Sequence, residues 1–142
     1  MRRVLVVDGD PAQRNALRIV LTRYLSDGGA RVEAFAQPQE ALARGREVGF
    51  AVAIADYRLP STNGIAFLKQ MRTLGPDTVS IMLVTSSDYE AVIAPAKEAG
   101  IFRVIAKPWT IELEGATRGA LAEHRNRLAR RMGDERIASG RA

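Results

Sequence analysis

Four polar side chains follow apolar segments of the chain, each close to the point where its segment ends. They are Asp8, Asp56, Thr85 and Lys107. The two carboxylates suit a hard divalent cation such as Mg²⁺, which prefers oxygen ligands. The ammonium and hydroxyl groups suit a tetrahedral oxyanion, as a point charge and a hydrogen-bond donor. An aspartate placed between a cation and an ammonium group can act as a nucleophile whose phosphorylated form both partners stabilise.

These side chains come together if the apolar segments are parallel strands of one sheet. Strand-like runs are predicted over residues 4–7, 31–35, 50–55, 79–84 and 102–106. Helical patterns separate them at the spacing of βαβ units, which predicts a doubly wound five-stranded parallel sheet with helices on both faces. The carboxyl ends of parallel strands share one edge, and ligands bind there.

The helix boundaries are predicted from capping residues and proline. Asp10 is expected to cap a first helix that begins at Pro11, and Thr110 to cap the last one. Pro95 lies within a weak helical pattern over residues 88–99 and should shorten or kink that helix.

Composition excludes several classes of protein. The chain has 142 residues, which corresponds to one ordinary domain. It has no cysteine and one histidine, which excludes disulfides, thiolate metal sites and multi-histidine zinc sites. The apolar runs are too short for a membrane span, and no signal-peptide pattern is present, so a cytoplasmic protein is expected. The net charge of +5 permits anionic partners.

Four sequence segments together resemble the receiver domains of bacterial two-component response regulators. They are Val-Leu-Val-Val-Asp at 4–8, Asp-Tyr-Arg-Leu-Pro at 56–60 with Asn-Gly at 63–64, Val-Thr-Ser at 84–86 and Lys-Pro-Trp at 107–109. The resemblance covers residues 1–125. It implies a flavodoxin-like fold with strand order 2-1-3-4-5 and a cis peptide bond between Lys107 and Pro108. It also implies a signalling switch rather than an enzyme with its own substrate.

The same resemblance assigns a role to each polar residue. Asp56 is expected to be the phosphoacceptor, which takes a phosphoryl group from a sensor histidine kinase or a phosphotransfer protein. Asp8, Asp56 and the backbone carbonyl of Arg58 are expected to hold Mg²⁺. Thr85 is expected to hydrogen-bond the phosphoryl oxygen, and Lys107 to pair with its charge.

Two positions depart from the family pattern. Gly9 stands where receivers carry a second acidic metal ligand, and Asp10 is expected to act as a helix cap rather than as its replacement. Val104 stands where the family has a switching aromatic residue, and Phe102 is expected to belong to the core. The alternative hypothesis is therefore a degenerate receiver, which acts as a phosphate-independent protein-interaction module.

Residues 126–142 form a basic extension that is predicted to continue the last helix. From Arg118 to the end, seven arginines stand against three acidic residues. This segment is interpreted as a solvated, arginine-rich helix end, with a linker or homodimerising helix as an alternative. Electrostatic contact with nucleic acid is a further alternative, but no direct binding is expected because no reading head accompanies it.

Overall fold

The computed structural model describes residues 2–138. Five strands alternate with five helices. The strands are β1 (Arg2–Val7), β2 (Ala30–Phe35), β3 (Val52–Asp56), β4 (Val79–Val84) and β5 (Arg103–Ala106). The helices are α1 (Pro11–Tyr24), α2 (Pro38–Glu47), α3 (Gly64–Leu74), α4 (Ser86–Glu98) and α5 (Leu113–Ala138). A short antiparallel pair, Arg58–Leu59 with Thr62–Asn63, lies between β3 and α3.

The five strands form one parallel sheet in the order β2-β1-β3-β4-β5. This confirms the predicted doubly wound architecture and strand order. The order reverses next to β1, because the chain first moves outward to β2 and then returns to the other side at β3. Because all five strands are parallel, their carboxyl ends meet at one edge, which hereafter is called the carboxyl edge.

Alternate strand residues pack against opposite helical layers. Val4 and Val6 belong to the core that α1 and α5 cover, whereas Leu5 and Val7 belong to the core beneath α2, α3 and α4. All four side chains are fully buried. A strand covered on both faces is therefore apolar at consecutive positions, and its first polar residue marks the edge of the sheet.

Several predicted details differ from the structure. Pro95 does not shorten α4, which runs to Glu98 and is followed by a hydrogen bond from the Ala99 N–H to the Pro95 carbonyl at 3.0 Å. The last helix begins at Leu113, after a turn over residues 110–112, rather than at a cap on Thr110. Phe102 was predicted to be buried, and this was wrong. It is 37% exposed beside the edge strand β5.

Helix α5 runs without interruption from residue 113 to residue 138. It thus crosses residue 125, where the sequence suggested that the receiver-like part ends. The final residues of the predicted extension, 139–142, lie outside the described residues. Within the described part of the chain, no helix is long and apolar enough to cross a membrane.

Candidate functional site

The backbone places three predicted site residues at the carboxyl edge. Asp8 directly follows β1, Asp56 is the last residue of β3, and Lys107 directly follows β5. Backbone hydrogen bonds continue the sheet pattern at these positions. The Asp8 N–H bonds the carbonyl of Phe35 at 3.0 Å, and the Lys107 N–H bonds that of Val84 at 2.8 Å.

Asp56 and Lys107 form an ion pair that is mostly buried. The Lys107 Nζ lies 2.7 Å from Oδ2 of Asp56. Asp56 is 8% exposed, while the lysine side chain is 24% exposed. Burial strengthens such a pair relative to one in water. Lys107 thus provides a positive charge directly beside the Asp56 carboxylate.

Gln13 joins the two carboxylates, a role that the sequence pattern does not predict. Its Nε2 donates to Oδ2 of Asp56 at 3.2 Å and makes a very short contact to Oδ2 of Asp8. Gln13 lies in the first turn of α1, just after the Asp10 cap, whose side chain accepts from the Ala12 N–H as predicted. The signal that could have found it is this position, because a first-turn residue lies near the strand end that precedes the helix.

Asp8 is more deeply buried than Asp56, with 1% of its surface exposed. Burial raises the pKa of the Asp8 carboxyl, and the nearby charge of Asp56 acts in the same direction. Hydrogen bonds from Gln13 and from the Asp10 N–H, the latter 2.9 Å from Oδ1, oppose that rise. Arg14 holds the main chain here, because its guanidinium donates to the Asp8 carbonyl at 2.9 Å.

The turn after β3 requires a glycine. A Cβ on Gly64 would lie 2.7 Å from the Asp56 carbonyl oxygen, which is closer than real Cβ contacts allow. The Gly64 N–H bonds the Tyr57 carbonyl at 2.7 Å, and Asn63 caps α3 by accepting from the Ala66 N–H at 2.9 Å. The Asn-Gly pair thus fixes the backbone that presents Asp56.

Arg58 divides its contacts between the carboxyl edge and a neighbouring helix. Its backbone N–H donates to Oδ1 of Asp56, with the two heavy atoms 3.3 Å apart. Its guanidinium forms two hydrogen bonds to Asp88 on α4, at 2.9 and 3.1 Å. The side chain therefore bridges the loop after β3 and the start of α4, through an ion pair that the sequence pattern does not predict.

Thr85 lies on the same edge but outside the hydrogen-bonded cluster around Asp56. Its hydroxyl is 3.2 Å from that of Ser87, and the Ser86 hydroxyl lies 3.3 Å from the Lys107 carbonyl. Thr85, Lys107, Gln13 and Trp109 all line one open cavity of about 530 Å³. The peptide bond that follows Lys107 is cis, as the resemblance implied.

Comparison with known proteins identifies the family. The family model for the response regulator receiver domain matches residues 4–114, which is most of the chain. The chain belongs to the response regulator receiver family.

Two curated proteins illustrate the relationship. The receiver is 37% identical over 106 residues to the hydrogenase transcriptional regulatory protein HoxA of Cupriavidus necator, covering 75% of this chain and 21% of that protein. It is 28% identical over 109 residues to a chemotaxis protein CheY homologue of Campylobacter jejuni, covering 76% of this chain and 82% of the homologue. The chain spans about a fifth of the length of the first relatives that it matches.

Solved receiver structures share the fold. The solution structure of the beryllofluoride-activated NtrC4 receiver domain dimer matches with a TM-score of 0.74 and 26% identity, covering 87% of this chain and 99% of that one. Receiver modules of this family act in two-component signalling.

Gly9 fits the receiver's carboxyl edge as it stands. A Cβ at this position would lie 3.2 Å from two ring carbons of Pro60, which is tighter than most real contacts. A longer side chain therefore requires the loop after β3 to move by a few tenths of an ångström. Among residues 2–138, no group of three or more histidine, cysteine or acidic side chains could hold a metal ion.

The donor set nevertheless fits a magnesium ion. Asp8 and Asp56 supply two carboxylates, and Mg²⁺ sites in proteins commonly use one or two carboxylates and several waters. Asp8 is 1% exposed, and a cation would offset the cost of burying its ionised carboxylate.

Proposed function

We propose that this receiver accepts a phosphoryl group on Asp56 from a phosphohistidine of a sensor kinase or a phosphotransfer protein. The observation that carries the proposal is the 2.7 Å pair between Asp56 and Lys107, which lies beside a second buried carboxylate at the carboxyl edge. This arrangement supplies a nucleophile and a positive charge side by side at one mostly buried place.

The chemistry follows from the positions of these groups. An Asp56 carboxylate oxygen forms a bond to phosphorus while the bond from phosphorus to the donor nitrogen breaks, and the leaving nitrogen keeps the electron pair. Lys107 offsets the charge of the phosphoryl oxygens, and the Thr85 hydroxyl turns from Ser87 to donate to one of them. Asp8, Asp56 and the Arg58 carbonyl would hold Mg²⁺, which when bound neutralises charge on the transferring group.

The wider assignment follows the same proposal. We propose that residues 1–125 form the receiver and that residues 126–142 form a basic helical extension. The protein acts as a cytoplasmic switch rather than as an enzyme with a substrate of its own. Its partners are a kinase or phosphotransfer protein, and α5 or its neighbours can contribute to a homodimer.

Intact mass spectrometry tests phosphoryl uptake directly. The protein is incubated with Mg²⁺ and a small acyl-phosphate donor, beside Asp56→Asn as the matched control. The expected result is a gain of one phosphoryl group on the parent chain and none on the variant. Uptake on both chains, or on neither, contradicts the proposal.

Gly9 favours a second candidate function, a protein-interaction module that works without phosphate. The missing acid leaves two carboxylates, and Gln13 already satisfies both of them. This candidate predicts that Asp56→Asn binds the protein partner as tightly as the parent does. Partner binding that requires the acyl-phosphate donor contradicts it.

A further inference from the structure

The space between Asp8 and Asp56 is bridged by a side chain of this protein. Gln13 Nε2 contacts Oδ2 of each carboxylate, so the amide lies at the meeting point of the two negative groups. A cation held by the same two Oδ2 atoms would occupy this meeting point, because it must also lie within bonding distance of both.

The chemistry of the neighbours fixes which end of the amide faces them. Ionised carboxylates are acceptors only, so an amide nitrogen between them donates two hydrogen bonds, whereas an amide oxygen would face two like-charged oxygens. The nitrogen is therefore the atom that stabilises the pair. It relieves the repulsion between Asp8 and Asp56 without adding charge.

All four carboxylate oxygens have a donor. Oδ1 of Asp8 accepts from the Asp10 N–H, and Oδ1 of Asp56 accepts from the Arg58 N–H. Both Oδ2 atoms accept from Gln13, and that of Asp56 also accepts from Lys107. A cation that binds both Oδ2 atoms therefore has to displace the Gln13 amide from between them.

The side chain is held in place by the start of α1. Asp10 caps the helix at the Ala12 N–H, and Arg14 binds the Asp8 carbonyl, so the residues on both sides of Gln13 are anchored. Gln13 itself is half-buried and lines the cavity that contains Lys107 and Trp109.

We propose that Gln13 competes with the divalent cation, so that its amide closes the site in the metal-free protein and must leave before the cation binds. This inference rests on Asp8 and Asp56 being the cation ligands of the proposed function. Gln13 then makes cation binding weaker than the two carboxylates alone would give.

The test measures cation binding with no phosphoryl donor present. Mn²⁺ serves as the probe, because its free and bound forms are distinguished by electron paramagnetic resonance. Gln13→Ala removes the amide, and Gln13→Met removes the donor but keeps the length of the side chain. Gln39→Ala is the matched control, because Gln39 is exposed in the first turn of α2, another helix that begins with proline.

The expected result is a Kd for Mn²⁺ that is about five- to tenfold lower in both Gln13 variants, the factor expected when a competing hydrogen bond or two is lost. Gln39→Ala is expected to match the parent. Adding Asp8→Asn to Gln13→Ala should abolish the gain, which locates it at this site. Circular dichroism melts establish that the Gln13 variants are folded.

Three outcomes overturn the proposal. An unchanged Kd in the folded variants means that the amide does not compete, and a higher Kd means that Gln13 is a ligand through its oxygen. Absence of Mn²⁺ binding in both Gln13 variants also overturns it. Because phosphoryl uptake is measured separately by mass, failure of the Asp56 assignment is distinguishable from each of these outcomes.

Discussion

The two ends of the sheet use charge in opposite ways. At the carboxyl edge, two buried carboxylates lie together against one lysine. At the opposite edge, where the parallel strands begin and which is called the amino edge here, cationic groups of α5 contact acidic side chains and carbonyl oxygens. Arg127 binds the Thr78 carbonyl at 3.2 Å and Glu123 at 2.9 Å, and Arg131 pairs with Asp77.

The difference separates charges that attach a helix to the sheet from charges that prepare a binding site. At the amino edge, the arginines of α5 fix the helix against the turn that precedes β4, so their removal should cost stability. At the carboxyl edge, like charges are held close together. This favours the binding of a cation and lowers the stability of the protein when no cation is bound. Four substitutions, ordered by expected effect, test this contrast.

Lys107→Met should have the largest effect on phosphoryl uptake. The variant loses the cation 2.7 Å from Asp56, and the rate of uptake should fall by about a hundredfold or more, the usual effect of removing one group that stabilises developing charge. The rate is followed by intact mass at fixed donor and Mg²⁺ concentrations. Arg127→Met at the amino edge is the control and should take up phosphoryl groups at the parent rate. Equal rates in the two variants would contradict the contrast.

Arg127→Met should have a larger effect on the free energy of unfolding than Lys107→Met. It removes hydrogen bonds to Glu123 and to the Thr78 carbonyl, and the free energy of unfolding should fall by about 1–2 kcal/mol. Urea denaturation measures the change. Arg125→Met is the matched control, because Arg125 is exposed on the same helix and its positive charge repels that of Arg2. A loss of the same size in the control would mean that helix propensity, rather than the amino-edge contacts, is responsible.

Asp8→Asn should stabilise the metal-free protein at neutral pH, by about 1 kcal/mol, while it weakens cation binding. Burial raises the pKa of Asp8 in the folded state. The contribution of Asp8 to the stability of the parent is therefore fully present below the unfolded-state pKa and is lost as the pH rises through the folded-state pKa. The gain in the variant should therefore disappear as the pH falls toward 4. Denaturation at two pH values in the presence of a chelator measures it. A gain that persists in acid would rule out relief of a buried charge.

His124 should give the smallest effect, at the amino edge. Burial lowers the pKa of His124, and the charge of Arg2, whose guanidinium lies 3.1 Å from Nδ1, acts in the same direction. A lowered pKa means that the unfolded chain binds the proton more readily, so the free energy of unfolding should fall as the pH drops below the ordinary histidine range. His124→Gln should reduce this slope between pH 7 and 5. The chain has one histidine, so its NMR titration reports the pKa directly. A titration above the ordinary value would contradict the prediction.

The fold was predictable because consecutive apolar residues mark strands that are covered on both faces. The edges of the sheet were not predictable in the same way. Phe102 was expected to be buried, yet it precedes an edge strand and is exposed, because hydrophobicity does not reveal on how many sides a strand has neighbours. The start of α5 was also placed too early, since the turn over residues 110–112 depends on how Trp109 packs into the core.

At the candidate site, the sequence placed Asp8, Asp56 and Lys107 at one edge, because strand ends are recognisable. It did not reveal Gln13 or the pair between Arg58 and Asp88. Which neighbour a long side chain selects depends on its rotamer and on the path of a loop, and neither has a periodic signature. The roles that the resemblance gives to Thr85 and Lys107 stay predictions until uptake is measured.

The contacts around Asp56 also have a consequence for the order of folding. Its hydrogen bonds to Gln13 and Lys107 join residues that are 43 and 51 positions apart in the chain. Contacts of such long range require loop closure before they form. The cluster exists only after β1, β3 and β5 have assembled. A partly folded or nascent chain therefore has the aspartate but not its surroundings, and reactivity at Asp56 would report that β1, β3 and β5 have assembled.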